Sequence, residues 1–262
     1  QPRSRGLGDV YKRQLCWLLN IRGADVPHTP LALGYGVVMM EGLVRIVMNT
    51  AKLSPSVIGA LGAIADLVDR GSFGQLLASL VAGNRMRLEA LTAPSALYAL
   101  IEAAGGKAEP GPDPIALMKA AKNVVEREGA RAAHKRDGAA VARFLSWFAK
   151  AAPEGDLTEV DAAIELERFR RETNVLKDIS FGSISGAGPN AALPHYRVTT
   201  ASNRLIEPGI FLIDSGGQYE DGTTDITRTL AVREVTPEMR RHYPLVLKGH
   251  VPISRAVFPK GP

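Results

Sequence analysis

Two aspartates with an unusual placement stand out in this chain of 262 residues. Asp214 ends the apolar run "GIFLID", and Asp225 follows the Gly-rich bend "SGGQYEDGTT". If the bend is centred between Tyr219 and Glu220, the two acids lie directly opposite each other in an antiparallel hairpin, with Cα atoms about 4.5–5.5 Å apart. Like charges at such positions destabilise a sheet, so the sequence predicts a compensating group between them.

Three kinds of compensation are open from the residues alone: a shared proton, the nearby Arg228, or divalent metal ions. Metal suits the geometry best, because hard divalent ions prefer carboxylate oxygens and two-metal hydrolytic sites hold their ions about 3.5–4 Å apart. An arginine-paired structural site and a solvated hairpin are the alternatives. Two acids are too few to complete a metal site, so further ligands must come from elsewhere.

Two other polar residues belong to this hypothesis. Thr227 lies on the same strand face as Asp225, and its hydroxyl is predicted to hydrogen-bond a metal-holding carboxylate. His195, in "LPHYR", could do acid–base chemistry, but an isolated histidine more often has a structural hydrogen bond. His195 therefore predicts no function by itself.

The first part of the chain, residues 15–107, alternates short apolar runs with helical ones. "LCWLLNI" and "LVRIVMN" are predicted to be buried strands, and "SPSVIGALGAIADLV", "SFGQLLASLV" and "APSALYALIEAA" are predicted helices. Ser54 and Ser72 stand where an N-cap belongs. This alternation predicts an α/β unit with a mostly parallel sheet.

The second part, residues 114–262, follows a Gly- and Pro-rich stretch at 108–113 that predicts a linker. It begins helix-rich, with a predicted break near Gly129, and Thr158 and Asp161 form a predicted capping box. Strands and loops come next, which favours an α+β domain. The number of predicted strands in this domain is small relative to the number of its predicted helices, so the domain is predicted to be cut short.

Composition narrows the function classes. The single cysteine, Cys16, excludes an internal disulfide framework and fits a reducing, cytoplasmic compartment. No apolar run approaches the roughly 18 residues of a membrane helix. The net charge of +5 owes much to residues 1–14, a predicted non-native leader, so it does not predict a nucleic-acid partner.

Longer motifs resemble a known family. "IDSGGQYEDGTTDITRT" is similar to the metal-binding motif of the Xaa-Pro aminopeptidases, enzymes with a pita-bread catalytic domain. "WLLNIRGADVPHTP", "KAAKNVVEREGARAAHKRDGAAVARFLSW", "SFGSISGAGPNAALPHY" and "GHVPISRAVFPKG" resemble further family segments in the same order. The resemblance covers essentially residues 15–262. It implies a creatinase N-terminal-like α/β middle domain followed by the first half of an α+β pita-bread domain.

The resemblance also implies a chemistry. The acid matching Asp214 chelates one metal ion and the acid matching Asp225 bridges two, usually Mn²⁺. His195 matches a histidine that contacts substrate and assists the reaction. A metal-activated water would then cleave peptides with proline at the second position. Relatives commonly form dimers, so a homodimer is expected.

The family completes its metal site with one histidine and two glutamates that have no match here. We therefore expect the chain to be an internal fragment with two of five ligands, inactive alone although its parent is an enzyme. The alternatives are a prolidase, a metal-free creatinase-type hydrolase, or a non-catalytic peptide-binding protein of the same fold. The presence of both Asp214 and Asp225 argues against the metal-free creatinase-type hydrolase.

Overall fold

The chain divides into two units between Val124 and Val125. A computed structural model describes residues 12–258. Of the predicted non-native leader, residues 1–11 lie outside that range, and the remainder begins the first helix.

The first unit contains five α-helices and five strands within its described residues, 12–124. In chain order they are α1 (Lys12–Leu18), β1 (Gly34–Val38), β2 (Val44–Met48), α2 (Pro55–Gly62), β3 (Asp66–Asp69), α3 (Phe73–Val81), β4 (Arg85–Glu89), α4 (Ser95–Ala103), β5 (Lys107–Gly111) and α5 (Pro114–Ala120). Strand β2 is central in a three-stranded sheet, antiparallel to β1 and parallel to β3, while β4 and β5 form a separate parallel pair. The predicted α/β character is present, with the strands in two small sheets.

Two sequence predictions differ from the secondary structure of this unit. The run "LCWLLNI" is predicted to be a strand, but residues 15–18 lie in helix α1, and the Leu19 N–H continues the helical pattern by donating to the Leu15 carbonyl at 3.1 Å. The predicted linker, 108–113, overlaps β5, whose pairing with β4 uses the extended backbone of this Gly- and Pro-rich stretch.

The second unit contains the predicted site residues His195, Asp214, Asp225 and Thr227. Its elements are α6 (Val124–Ala151), α7 (Glu159–Arg171), β6 (Asp178–Ile179), β7 (Ile184–Ala187), β8 (Gly209–Ser215), β9 (Gly217–Gln218), β10 (Ile226–Val232) and α8 (Pro237–Arg255). The main sheet has the order β10-β8-β7 and is antiparallel throughout, with β8 in the centre.

Burial alternates along β8 and determines which face carries chemistry. Phe211 and Ile213 are buried in the core that α6 and α7 share with the sheet. Phe211 stacks on Phe148 of α6 with ring centroids 4.8 Å apart. Because strand side chains alternate, Asp214 lies on the opposite, half-buried face. Hydrophobic burial of one face thus directs the aspartate away from the core.

Helix α6 runs unbroken through the predicted break at Gly129, so that prediction is wrong. A Cβ atom at this position would overlap the carbonyl oxygen of Asp221. The glycine is there for a close approach between the helix and the β8–β10 connection.

The capping box predicted for α7 is present. Thr158 Oγ1 accepts a hydrogen bond from the Asp161 backbone N–H at 3.2 Å, and the Thr158 backbone N–H donates to Asp161 Oδ2 at 3.0 Å. The cap fixes where α7 begins, and so fixes Glu159 in its first turn.

Helix α8 contrasts with α6 in its burial. None of its residues is buried, and Pro244 and Pro252 lie inside it. Along residues 12–258, no helix has both the length and the apolar composition needed to cross a membrane.

Candidate metal and substrate site

Asp214 and Asp225 do not lie directly opposite each other. Asp214 pairs with Thr227 on β10, and Asp225 precedes that strand. The Tyr219 N–H donates to the Gly222 carbonyl at 2.9 Å, which centres the turn one residue later than predicted and moves the register by two. The predicted register is therefore wrong.

The two carboxyl groups nevertheless meet, because residues 225 and 227 share a strand face. The Asp225 side chain is hydrogen-bonded to Asp214. Burial, followed by the neighbouring negative charge and this hydrogen bond, raises the pKa of Asp225 above its ordinary value. The proximity of the two acids thus disfavours the charged form of Asp225, and a cation bound beside them would offset that repulsion.

The hydrogen bonds of neighbouring polar groups bear on whether Arg228 or metal ions compensate the two acids. Thr227 Oγ1 donates a hydrogen bond to Asp214 Oδ1 at 2.7 Å, so the residue predicted as a donor contacts the opposite aspartate. Arg228 Nη1 donates to the Thr227 carbonyl at 2.7 Å and is directed along its own strand. This geometry does not favour the arginine-paired alternative.

One cavity of about 280 Å³ brings the three predicted site residues together. Its lining residues are Phe181, Gly182, Ile184, His195, Tyr196, Arg197, Asp214 and Asp225. Acidic, basic and apolar side chains thus converge on a space suited to one end of a short peptide.

His195 reaches this cavity from a loop rather than from a regular element. It is exposed and has a left-handed backbone conformation, with φ of 58°. The adjacent Tyr196 donates from its hydroxyl to Glu159 Oε2 at 2.9 Å. The loop is therefore held to helix α7 at the residue next to the histidine.

Glu159 organises that loop and was missed by sequence reasoning. Its side chain is fully buried and accepts hydrogen bonds from the Ala187 N–H at 2.7 Å and from Asn190 Nδ2 at 3.0 Å, besides Tyr196. A carboxylate at the start of a helix is usually an exposed cap, so its type and position gave no signal of this role.

A second buried polar cluster was also missed. Asp137 of α6 and Arg170 of α7 form a fully buried ion pair, with Arg170 Nε donating to Asp137 Oδ1 at 2.6 Å. The available signal was an acid at helical spacing from the apolar Ala133 and Val141, which places Asp137 on a buried face.

Metal binding by this chain would begin with the two aspartates. Across residues 12–258, no group of three or more His, Cys, Asp or Glu side chains is arranged to hold a metal ion. Carboxylate oxygens suit hard ions such as Mn²⁺ and Mg²⁺, and two carboxyl groups that line one cavity are a suitable donor set. The residues fit part of a metal site, two donors of a larger shell.

Comparison with known families gives two matches that together span most of the chain. Residues 128–262 match the model of metallopeptidase family M24. The chain belongs to metallopeptidase family M24. Residues 12–126 match the creatinase/prolidase N-terminal domain, so a creatinase N-terminal domain precedes part of an M24 catalytic domain, as the fold class predicted.

Curated relatives of this M24 chain include two fungal proteins. A probable Xaa-Pro aminopeptidase P of Phaeosphaeria nodorum is 37% identical over 275 residues, covering 99% of this chain and 42% of the relative. One from Coccidioides posadasii is 39% identical over 258 residues, covering 95% and 40%. The predicted resemblance to Xaa-Pro aminopeptidases is confirmed, and the chain spans about two fifths of the length of these relatives.

Solved structures agree on the fold of the M24 chain. The X-prolyl aminopeptidase of Caenorhabditis elegans, described as a cytosolic enzyme with a di-nuclear active site, superposes with a TM-score of 0.85 at 32% identity. The match covers 96% of this chain and 42% of that one. An Xaa-Pro dipeptidase from Bacillus anthracis has a TM-score of 0.71 at 21% identity, covering 94% and 65%, and shares the fold alone.

Proposed function

We propose that the protein represented by this chain is a metal-dependent aminopeptidase that hydrolyses the bond between an N-terminal residue and a following proline. The observation that carries the proposal is that Asp214, Asp225 and His195 line one cavity. The Xaa-Pro aminopeptidase relatives and the di-nuclear site of the nematode enzyme support it.

The two aspartates are assigned to hold a pair of divalent ions. Asp214 and Asp225 would both supply carboxylate oxygens to these ions, as the family resemblance implies, and oxygen donors make Mn²⁺ a suitable metal. Bound divalent ions lower the pKa of water and polarise a peptide carbonyl. Thr227 donates to Asp214 Oδ1, which would orient that carboxylate for metal binding.

His195 and the cavity wall would handle the substrate. The exposed imidazole can donate a hydrogen bond to the peptide carbonyl beside the acids. Phe181 and Ile184 contribute apolar surface on the same wall, which suits the ring of a proline and excludes water.

The chain alone is proposed to bind metal weakly and to cleave nothing, because two carboxylates leave most of a coordination shell unfilled. The remaining protein ligands would come from outside this chain. We also propose a cytoplasmic location, by analogy with the cytosolic nematode enzyme, and a homodimer, from the family resemblance.

The test is calorimetric titration with Mn²⁺ together with cleavage of an Xaa-Pro peptide. Both are measured on this chain and on the longest protein that its coding sequence yields, each with its Asp225→Asn variant. Two-ion binding and cleavage in the longer protein, both lost in the variant, would support the proposal. A longer protein that folds but takes up no metal would instead indicate a peptide-binding protein or a metal-free hydrolase.

A further inference from the structure

The turn between the two candidate metal ligands is anchored on one buried carboxylate. Tyr219 donates from its hydroxyl to Asp137 Oδ1 at 2.9 Å, and Thr224 Oγ1 donates to Asp137 Oδ2 at 2.6 Å. These two donors lie on opposite sides of the turn at Glu220 and Asp221, and Thr224 directly precedes Asp225. One side chain of helix α6 therefore holds both ends of the turn.

Asp137 is able to do this because its charge is compensated inside the protein. Arg170 donates to both of its oxygens, at 2.6 and 3.2 Å, and both residues are almost inaccessible to solvent. Burial would raise the pKa of Asp137, but the Arg170 guanidinium and the two hydroxyls outweigh burial and lower it. The carboxylate stays charged and keeps all its acceptor positions at neutral pH.

The same face of α6 contacts the turn at two further places. Arg136 donates to both carboxylate oxygens of Asp221, at 3.1 and 2.8 Å, and its guanidinium lies over the Tyr219 ring, 5.2 Å from the centroid. Gly129 leaves room for the Asp221 carbonyl. Since these α6 residues recur at helical spacing, they form a continuous surface that matches the turn.

We propose that Asp137 is a positioning residue for the metal site: by holding Tyr219 and Thr224, it fixes where Asp225 lies relative to Asp214. The inference rests on the proposed function, because it gives this spacing a purpose in metal binding. Asp214 is placed by the β8 ladder and its core packing, whereas Asp225 lies outside β10 and depends on the turn. Asp137 acts through Thr224 and itself contacts neither metal nor substrate.

A matched pair of substitutions at Thr224 tests this while both members of the buried ion pair stay in place. Thr224→Val removes the hydroxyl and keeps the shape, while Thr224→Ser keeps the hydroxyl. Two readouts are taken on the full chain: hydrogen exchange of the peptide covering residues 216–225 without metal, and Mn²⁺ affinity by electron paramagnetic resonance. We expect faster exchange and roughly tenfold weaker Mn²⁺ binding in Thr224→Val, with Thr224→Ser close to the wild type in both.

Each outcome separates the two proposals. Unchanged exchange in Thr224→Val, or faster exchange with unchanged Mn²⁺ affinity, would overturn the positioning role. Equal losses in the valine and serine variants would also overturn it, because the hydroxyl would then not be the cause. If the wild-type chain takes up no Mn²⁺, the metal function fails for this chain and the positioning role in metal binding fails with it. A hydroxyl-dependent change in exchange would then show only that the turn is anchored.

Discussion

Thr227 lies directly across the β8–β10 ladder from Asp214 and donates its hydroxyl to Asp214 Oδ1 at 2.7 Å. The hydrogen bond holds the carboxylate in one orientation at the edge of the cavity. A ligand oriented before metal arrives loses less side-chain freedom on binding, so Thr227 should contribute to metal affinity without touching the ion.

Replacing Thr227 by Val should therefore weaken Mn²⁺ binding about tenfold, while Thr227→Ser should stay near the wild-type affinity. Valine keeps the branched shape that suits a strand, so the thermal midpoint should change little. Titration calorimetry measures the affinity and calorimetric melting the stability. Equal affinities for the valine variant and the wild type would show that the hydroxyl does not orient the carboxylate for metal.

Asp225→Asn should stabilise the metal-free chain at neutral pH. The pKa of Asp225 is raised on folding, so its contribution to stability is present below the ordinary carboxyl pKa and is lost as pH rises through the folded value. The asparagine side chain carries no charge, so the variant does not lose this stability as pH rises. Because the site is partly solvated, the gain should be small, about 0.2–1 kcal/mol, or roughly 1–3 °C in thermal midpoint.

The comparison needs two controls. The stabilisation should shrink as pH falls through the raised pKa of Asp225, and Mn²⁺ should raise the midpoint of the wild type only. Asp156→Asn removes an exposed acid in the loop before α7 and should show neither effect. A variant less stable than the wild type at pH 7 would contradict the repulsion between the two acids.

Two glycines of helix α6 should respond oppositely to alanine. Gly138→Ala adds a methyl group into open space and should stabilise by about 0.5–1 kcal/mol, since alanine is the better helix former. Gly129→Ala would overlap the Asp221 carbonyl and should destabilise by about 1–3 kcal/mol despite the same propensity gain. Urea denaturation compares the two, and stabilisation by both substitutions would refute the close approach.

Glu159→Gln should loosen the loop that carries His195. The glutamine amide keeps one acceptor oxygen, but its NH₂ group faces neighbours that are themselves hydrogen-bond donors, such as the Ala187 N–H and Asn190 Nδ2. Buried groups are then left without hydrogen bonds, at a cost of about 1–3 kcal/mol. Tyr196→Phe removes a hydroxyl that donates to Glu159 and accepts from Asn190, and should cost about 1–3 kcal/mol. Melting measures the stability, and hydrogen exchange of residues 188–196 measures the loop. A glutamine variant as stable as the wild type would mean that the carboxylate is not needed there.

Local signals in the sequence predicted the elements well where one residue type has one role. Ser54 caps α2 by accepting from the Val57 N–H at 3.3 Å, and the Thr158–Asp161 capping box is present. Ser72 makes no side-chain cap hydrogen bond, although its type and position are equivalent. Propensity indicates where a cap can form, but the backbone conformation decides whether the hydroxyl reaches the N–H.

The site was harder to predict because its geometry depends on contacts distant in sequence. The turn is centred one residue later than predicted, so Thr227 rather than Asp225 lies opposite Asp214. That turn is fixed by Asp137, more than 80 residues away in the chain. Hydrophobic spacing gives the face of each element, but it contains no information about which buried polar groups will pair across the fold.

The left-handed backbone at His195 affects how that residue can be studied. Alanine in this conformation carries a strain of about 1–2 kcal/mol, whereas glycine adopts it freely and asparagine visits it routinely. An alanine scan would therefore combine loss of the imidazole with distortion of the loop. Glycine and asparagine are the substitutions that isolate the imidazole, and a glycine variant would leave a gap that free imidazole from solution could enter.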